Sequence, residues 1–233
     1  MQGDKYRYDR TTPRVPTARP GKQLAAGQLP SGSLIVWDTE ILAKPVSSDA
    51  PSGMISLTRR GSIMRPVLHL VGCGTRPTED LPDFAAELRI ADWEPHIIAS
   101  PVGRRFVDTD HAAGCSGQPV RWDLDPDDPV SLPKAHCVAV APATFNTITK
   151  LAAGIADTLA LAVTAEAVGA RLPVVVVPWM NSSLANHPQY DRAMRTLREW
   201  GVQLLPADQS QSFPWALLRE RLDQVRTELV HAS

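Results

Sequence analysis

The stretch Cys137-Val-Ala-Val-Ala-Pro-Ala-Thr-Phe-Asn-Thr147 decides how the rest of the chain is interpreted. Its first five residues form a short apolar run that is typical of a buried strand, and the residues after Thr147 have helical spacing. A strand that ends in Pro, small and hydroxyl residues and an Asn, directly before a helix, presents backbone N–H groups to an anionic or planar ligand. We therefore expect a ligand site at this strand end.

Strands and helices alternate along the chain from Met64 onward. The run between Pro173 and Pro178 is entirely β-branched, as expected for a central parallel strand. The alternation predicts an α/β fold, a doubly wound parallel sheet in a three-layer Rossmann-like arrangement with its ligand at the carboxyl ends of the strands. Strands are predicted at 67–71, 96–100, 137–141, 173–178 and 202–205, and helices at 79–92, 187–200 and 214–230, with a helical region at 147–169 whose continuity is left open.

The chain divides near residue 64. Residues 1–63 are rich in Pro, Gly and Ser and contain one apolar patch, Leu34-Ile-Val-Trp37. Such a composition buries little surface, so we expect a largely disordered N-terminal extension followed by a folded domain at 64–233. We also hypothesise that the natural start is Met54 or Met64.

Composition excludes several classes of function. The 233 residues carry a formal net charge of -1, which argues against a general nucleic-acid binder. No apolar run approaches the roughly 18 residues needed to cross a membrane, and the first residues lack the apolar core of a secretory signal. The three cysteines, Cys73, Cys115 and Cys137, lie far apart, so we expect free thiols in a cytoplasmic protein and no metal site.

Two other strand ends carry residues suited to a phosphate. In Val71-Gly-Cys-Gly-Thr-Arg-Pro77, two glycines and a Thr come after a strand, but Pro77 stands where the dinucleotide fingerprint needs a glycine. In Ser100-Pro-Val-Gly-Arg-Arg-Phe106, the Ser can donate to a phosphate and Arg104 or Arg105 can pair with it. An ordinary tight turn and a solvated loop, respectively, are the alternatives.

The segments Pro142-Ala-Thr-Phe-Asn-Thr147 and Pro178-Trp-Met-Asn-Ser-Ser-Leu184 resemble two motifs of the flavin-containing cysteine decarboxylases, which include phosphopantothenoylcysteine decarboxylase and the enzymes that decarboxylate the C-terminal Cys of lantibiotic-type peptides. The segment Pro142-Ala-Thr-Phe-Asn-Thr147, with Gly154-Ile-Ala-Asp157 after it, resembles the family's flavin-binding signature Pro-Ala-Ser-Ala-Asn-Thr. Thr144 keeps the hydroxyl of the Ser, and Phe145 replaces the second Ala. The segment Pro178-Trp-Met-Asn-Ser-Ser-Leu184 resembles Pro-x-Met-Asn-x-x-Met, with Leu184 in place of the last Met.

The resemblance implies an FMN cofactor and the residues that contact it. It also implies a homotrimer, in some members a dodecamer, that oxidises a cysteine thiol to a thioaldehyde and then releases carbon dioxide. Asn146 and Asn181 are the implied catalytic residues, and Pro178, Met180 and Asn181 the implied substrate contacts. The implied cofactor contacts are Gly72, Cys73, Gly74, Thr75, Ser100, Phe106, Pro142, Ala143, Thr144, Asn146 and Thr147.

The sequence departs from the family at the catalytic His, which lies fourteen residues before the first Pro of the signature. That position is Asp128. Asp128 can act as a base only if neighbouring carboxylates raise its pKa, and a solvated acidic turn is the alternative. Among the histidines, His69 and His136 are interpreted as core residues, His111 is placed on a loop, and His187 is expected to start a helix.

A second departure concerns the product. In the coenzyme A branch of the family a mobile clamp carries a reducing cysteine, but no cysteine comes after Asn181 in this sequence. The resemblance therefore favours an oxidised enethiol product over a coenzyme A intermediate.

Two functions remain open. The first is an FMN-dependent enzyme that oxidatively decarboxylates a cysteine-derived thiol-carboxylate, for example a peptide C-terminal Cys. The second is a non-catalytic FMN-binding protein with a regulatory or partner role.

Overall fold

The computed structural model describes residues 65–123 and 132–232. The N-terminal extension 1–63, the hypothesised starts at Met54 and Met64, and Asp128 therefore lie outside the described residues. Within the described residues, no helix is long and apolar enough to cross a membrane.

Five parallel strands form one sheet, in the order β2-β1-β3-β4-β5. The fold class predicted from the sequence is confirmed. The strands are β1 Val67–Gly72, β2 Glu94–Ala99, β3 Cys137–Ala143, β4 Val174–Pro178 and β5 Gln203–Leu204. The helices are α1 Leu81–Ile90, α2 Thr109–Ser116, α3 Phe145–Ala152, α4 Leu159–Gly169, α5 Ser182–Ala185, α6 Pro188–Glu199 and α7 Trp215–Ala232, with 3₁₀ turns at Arg76–Asp80 and Gly103–Phe106.

Side chains alternate between the two faces of the sheet because successive residues of a strand point in opposite directions. On β1, Leu68 and Leu70 belong to a core with α1 and α7, whereas Val71 belongs to a second core with α3, α4 and α6. Both faces of the sheet are thus covered by helices, which is why β4 consists almost entirely of valine.

The sequence prediction missed two helices, α2 and the four-residue α5. His111, which was placed on a loop, lies in the first turn of α2. The carboxylate of Asp108 caps this helix by accepting hydrogen bonds from the backbone N–H groups of Asp110 and His111, both at 3.1 Å. Gly117 ends it with a φ of 75°. The helix is short and rich in Ala and Gly, so its apolar periodicity is too weak to predict it.

The helical region at 147–169 is two helices. Helix α3 ends at Ala152, and Gly154 lies just beyond it with a φ of 71°. Helix α4 starts after Thr158, whose hydroxyl accepts from the N–H of Leu161 at 3.3 Å. The first turn of α3 lies beside the end of β3 because only Thr144 separates the two elements.

The strand order reverses between β1 and β3. From β1 the chain proceeds to β2 on one side, and from β3 it proceeds to β4 and β5 on the other. The loops that leave β1 and β3 therefore diverge to opposite faces and leave a crevice between them, where ligands of open α/β sheets bind.

Candidate functional site

The strand ends that carry the sequence motifs meet at one edge of the sheet. The N–H of Cys73 donates to the carbonyl of Pro142 at 3.2 Å, and the N–H of Ser100 donates to the carbonyl of Gly72 at 2.8 Å. At β4, the N–H of Trp179 donates to the carbonyl of Ala143 at 2.8 Å. The first turns after β1, β2, β3 and β4 are therefore neighbours, as expected for parallel strands.

The loops after β1 and β2 approach so closely that they need glycine. A Cβ atom on Gly103 would lie 2.3 Å from the carbonyl oxygen of Gly72. A Cβ atom on Gly74 would lie 2.4 Å from Cγ1 of Val102. Real Cβ contacts are not this short, so either side chain would push the two loops apart.

Thr75 carries a polar atom that lacks a partner. Its Oγ1 is buried and makes no hydrogen bond to any other described residue, whereas Thr78 Oγ1, three residues on, donates to the carbonyl of Cys73. A buried hydroxyl without a partner costs roughly 1–3 kcal/mol, so native structures rarely retain one without a reason. A phosphate held by this loop would supply the acceptor, so the residues present fit the phosphate end of a flavin mononucleotide.

The loop after β2 presents Ser100 and Phe106, both half-buried. Ser100 Oγ accepts from the N–H of Gly103 at 3.0 Å, which leaves the hydroxyl proton able to donate elsewhere. The guanidinium of Arg104 lies over the ring of Trp122 at 3.8 Å, a cation–π contact. Arg104 is thus occupied by Trp122, and Arg105 is exposed.

A chain of polar contacts links the first and third strand ends. Thr144 caps α3 by accepting from the N–H of Thr147 at 3.4 Å, and the two hydroxyl oxygens are 3.0 Å apart. Thr147 Oγ1 lies 3.1 Å from the sulfur of Cys73. Burial raises the pKa of the Cys73 thiol, so this thiol stays neutral and serves as a hydrogen-bonding group rather than a nucleophile.

The first turn of α3 faces the crevice. The N–H of Ile148 donates to the carbonyl of Thr144 at 3.0 Å, which opens the helical ladder. The amides of Phe145 and Asn146 precede that bond, as the first N–H groups of every helix do, and they form the positive end of the helix dipole. The side chain of Asn146 is exposed at this end.

The segment after β4 places Met180 and Asn181 on the same edge. Asn181 Oδ1 accepts from the N–H of Leu184 at 3.0 Å and so caps α5. Because its oxygen is engaged, its NH₂ group is the end that can donate to a carboxylate. Asn181 is exposed, Met180 is half-buried and Pro178 is buried.

Two aromatic residues flank these motifs in different surroundings. Trp179 packs edge-on against Phe213, with ring centroids 5.2 Å apart, and so joins the aromatic cluster that anchors α7. Phe145 packs edge-on against His187 at 5.4 Å. Trp179 therefore extends the core, while the contact of Phe145 with His187 joins the start of α3 to the start of α6.

The described histidines of the strands have structural contacts. His69 is buried and its Nε2 lies 3.0 Å from the carbonyl of Pro133; burial lowers its pKa to about 4. His136 Nδ1 accepts from the N–H of Val67 at 3.0 Å. His187 caps α6, as expected, through Nδ1, which accepts from the N–H of Gln189 at 3.0 Å.

Two surface concavities lie elsewhere. One, of about 600 Å³, is lined by α1 and α7 residues such as Glu87, Arg219 and Asp223. The other, of about 460 Å³, is lined by α6 residues such as Tyr190 and Arg195. Neither contains a strand-end residue. Because ligands of open α/β sheets bind at the strand ends, the strand-end edge remains the better candidate site.

Comparison with known proteins shows which proteins the chain is similar to. The model of the family described as Flavoprotein matches residues 128–218. Among solved structures, the FMN-dependent cysteine decarboxylase TvaF from thioviridamide biosynthesis is 26% identical, with a TM-score of 0.56 over 66% of this chain and 97% of that chain. The epidermin biosynthesis protein EpiD from Staphylococcus aureus is 28% identical, with a TM-score of 0.53 over 61% of this chain and 83% of that chain.

A curated relative matches in sequence over a shorter part of its own length. The coenzyme A biosynthesis bifunctional protein CoaBC of Mycobacterium tuberculosis is 34% identical over 125 residues, which cover 51% of this chain and 29% of the relative. The chain thus spans less than a third of that relative.

These matches make the chain similar to the flavoprotein family over residues 128–218, and its fold is that of the flavin-containing cysteine decarboxylases. The resemblance inferred from the two strand-end motifs is confirmed. The family model also bears out the prediction of a flavin cofactor. The roles of individual site residues stay predictions.

Proposed function

We propose that this chain is an FMN-dependent enzyme that oxidatively decarboxylates a cysteine-derived thiol-carboxylate. The observation that carries the proposal is the meeting of four strand ends at the switch point, with the signature Pro142–Thr147 on one side and the buried, unpartnered Thr75 hydroxyl on the other. The match to the Flavoprotein family model over residues 128–218 supports the cofactor, and the solved relatives TvaF and EpiD support the class of substrate.

The loops after β1 and β2 suit the phosphate of FMN. Thr75 Oγ1 and the hydroxyl of Ser100 are donors, and the close approach of Gly72 and Gly103 brings both loops within reach of one ligand. The first turn of α3 adds backbone N–H groups and its helix dipole. The flat ring would lie against Pro142–Thr147, with Phe106 as a further apolar contact.

FMN, when bound, supplies the acceptor for the hydride lost as the substrate thiol becomes a thioaldehyde. The chain's own residues hold the substrate for that chemistry. The NH₂ of Asn181 donates to the substrate carboxylate, and Asn146 orients the reacting carbon–sulfur unit. When the bond to the carboxylate breaks, its electron pair forms the C=C bond of an enethiolate, the electrons of the C=S bond move onto sulfur, and carbon dioxide leaves.

A base is needed to remove the thiol proton, and we assign this role to Asp128. The assignment rests on its position in the sequence, fourteen residues before Pro142. Asp128→Asn should abolish turnover and leave FMN binding intact, while Asp127→Asn, a matched change one residue away, should leave both intact. Unchanged turnover in Asp128→Asn would remove the assignment.

Two substrates of this class should be compared directly. A peptide with a C-terminal Cys is the substrate we favour, because residues 182–233 contain no cysteine that could reduce an intermediate. The similarity to CoaBC favours phosphopantothenoylcysteine as the second candidate. The product distinguishes them further: an oxidised enethiol is expected here, rather than the reduced thiol.

A non-catalytic FMN-binding role is the alternative function. The Asp at the position of the family's His favours it, because an ordinary carboxylate is too weak a base for a thiol. In this role the chain would bind FMN and a protein partner, and turn over no thiol.

The test uses the purified full chain, which is loaded with FMN and then incubated with each substrate in the absence of oxygen. Loss of carbon dioxide from a substrate, detected by mass spectrometry, would support the enzyme. Bound FMN that no thiol-carboxylate bleaches would support the alternative. A chain that cannot be loaded with FMN would refute both.

We also propose that the site is completed in a homotrimer or a dodecamer, as the resemblance implies. Two exposed apolar side chains, Val102 and Leu184, lie in the segments directly after β2 and β4 on the site edge. Burying them against a second copy would remove them from water. Light scattering of the FMN-loaded chain should give a multiple of three subunits, and a monomer would contradict this.

A further inference from the structure

Three potential metal ligands of different chemistry converge on the outer side of α1 and α2. Asp83 lies in the first turn of α1, and His111 and Cys115 lie one turn apart on α2. Asp83 Oδ1 is 3.2 Å from His111 Nε2, and the sulfur of Cys115 is 3.7 Å from the same nitrogen. All three donor atoms lie within 4.8 Å of one another.

We propose that Asp83, His111 and Cys115 bind one divalent transition-metal ion of the zinc type. Tetrahedral zinc has bonds of about 2.0–2.2 Å to N and O and about 2.3 Å to S, so its ligand atoms are separated by roughly 3.3–3.6 Å. The 3.2 Å and 3.7 Å separations found here lie within about 0.1 Å of that range. The third separation, between Asp83 and Cys115, is within 4.8 Å, so rotation of these side chains would have to close the remaining gap for all three to hold one ion.

The arrangement does not suit a Cys-His-Asp catalytic relay. A relay needs the imidazole to contact the thiol with one ring nitrogen and the carboxylate with the other. Here Nε2 is the ring nitrogen that contacts the carboxylate, and it is also the nearer one to sulfur, at 3.7 Å against 3.9 Å for Nδ1. Because Nε2, the carboxylate oxygen and the sulfur lie within 4.8 Å of one another, the three atoms can approach one ion, whereas they cannot form a relay through the two ring nitrogens.

The donor set also selects the metal. One thiolate, one imidazole and one carboxylate suit borderline ions such as Zn²⁺ and Co²⁺ rather than Mg²⁺ or Ca²⁺, which prefer all-oxygen sites. The side chains of His111 and Asp83 are 55% and 79% exposed, so an ion can enter and water can fill the fourth position. Arg89 donates to the carbonyl of Cys115 at 3.1 Å and so ties α1 to the end of α2.

The test titrates the full chain with Co²⁺ alone and then with Zn²⁺ as competitor. One equivalent of Co²⁺ should give the charge-transfer absorption of a cobalt–thiolate bond, and Zn²⁺ should displace it. Cys115→Ser should abolish that absorption. His111→Ala and Asp83→Asn should each weaken Co²⁺ binding by at least about tenfold, because even the loss of a residue that only hydrogen-bonds a metal ligand lowers metal affinity by about 10–100-fold.

Asp110→Asn is the matched control, because it changes a carboxylate on the same helix that is outside the cluster. It should bind Co²⁺ as the unchanged chain does. The proposal is overturned if the chain gives no thiolate absorption with Co²⁺. It is also overturned if Asp83→Asn and His111→Ala bind as Asp110→Asn does, since the metal would then be held elsewhere.

Discussion

Replacing Thr75 with Val should have opposite effects on the free protein and on its complex with FMN. Val keeps the branched shape of Thr and suits the extended backbone at this position, with φ of -152° and ψ of 158°. The change removes a buried hydroxyl that has no partner among the described residues. The free protein should therefore become more stable by about 1 kcal/mol, since an unsatisfied buried group is lost.

The complex should lose a hydrogen bond to a charged group. Such bonds contribute about 1.5–3 kcal/mol, so Thr75→Val should raise the Kd for FMN by about 10- to 150-fold. Urea unfolding of the FMN-free protein measures the first effect, and a titration of flavin fluorescence measures the second.

Thr78→Val is the matched control. Thr78 Oγ1 is buried but donates to the carbonyl of Cys73, so its removal should destabilise the free protein by about 1 kcal/mol. The reasoning is refuted if Thr75→Val also destabilises the free protein and leaves the Kd for FMN unchanged. That result would mean that the Thr75 hydroxyl is satisfied within the protein and faces no phosphate.

Three further substitutions test other residues of the fold and the site. Burial lowers the pKa of His69 from 6.5 to about 4, so protonation favours the unfolded state. The free energy of unfolding should be highest above pH 6.5 and should fall by about 2 kcal/mol by pH 5. His69→Gln should suppress this loss in urea unfolding. Gly103→Ala should destabilise the protein by about 1–3 kcal/mol and weaken FMN binding, because the new Cβ would meet the Gly72 carbonyl. The control Gly114→Ala has open space around it and should stabilise the protein by up to about 1 kcal/mol. Equal effects of the two changes on the melting temperature would contradict the close approach of the loops. Asn181→Ala should lower the free energy of unfolding by about 1 kcal/mol, because the cap of α5 is lost. The variant should still bind FMN but should no longer decarboxylate the substrate. Normal turnover would exclude Asn181 from catalysis.

The sheet was predictable because its strands are short apolar runs bounded by turn residues. Val174–Pro178 is the clearest case, since β-branched residues between prolines fit a strand buried on both faces. Strand order was not predictable from any such pattern. The switch point between β1 and β3 depends on which strands pair, and that is decided by packing between residues far apart in sequence.

The candidate site was predictable where its residues belong to a strand-end motif. The neighbourhood of Gly72 and Pro142 results from parallel pairing and short loops. The contacts of Trp179 with Phe213 and of Phe145 with His187 could not be predicted, because they join separate elements.

The cluster on α1 and α2 was missed for a similar reason. The sequence prediction placed His111 on a loop and considered only the spacing of the cysteines, so it expected no metal site. His111 and Cys115 are four residues apart, a spacing that puts them on one face only if the segment is helical. The third ligand, Asp83, comes from a different helix and leaves no local signal.

The central claim is that FMN binds at the strand ends beside the β1/β3 switch point. Amide hydrogen exchange of the full chain, with and without saturating FMN, tests this most directly. FMN bound there should slow exchange at 72–75, 100–106 and 144–147 and leave the concavity around Glu87 and Arg219 unchanged. Protection at that concavity, with none at the three strand-end segments, would contradict the claim.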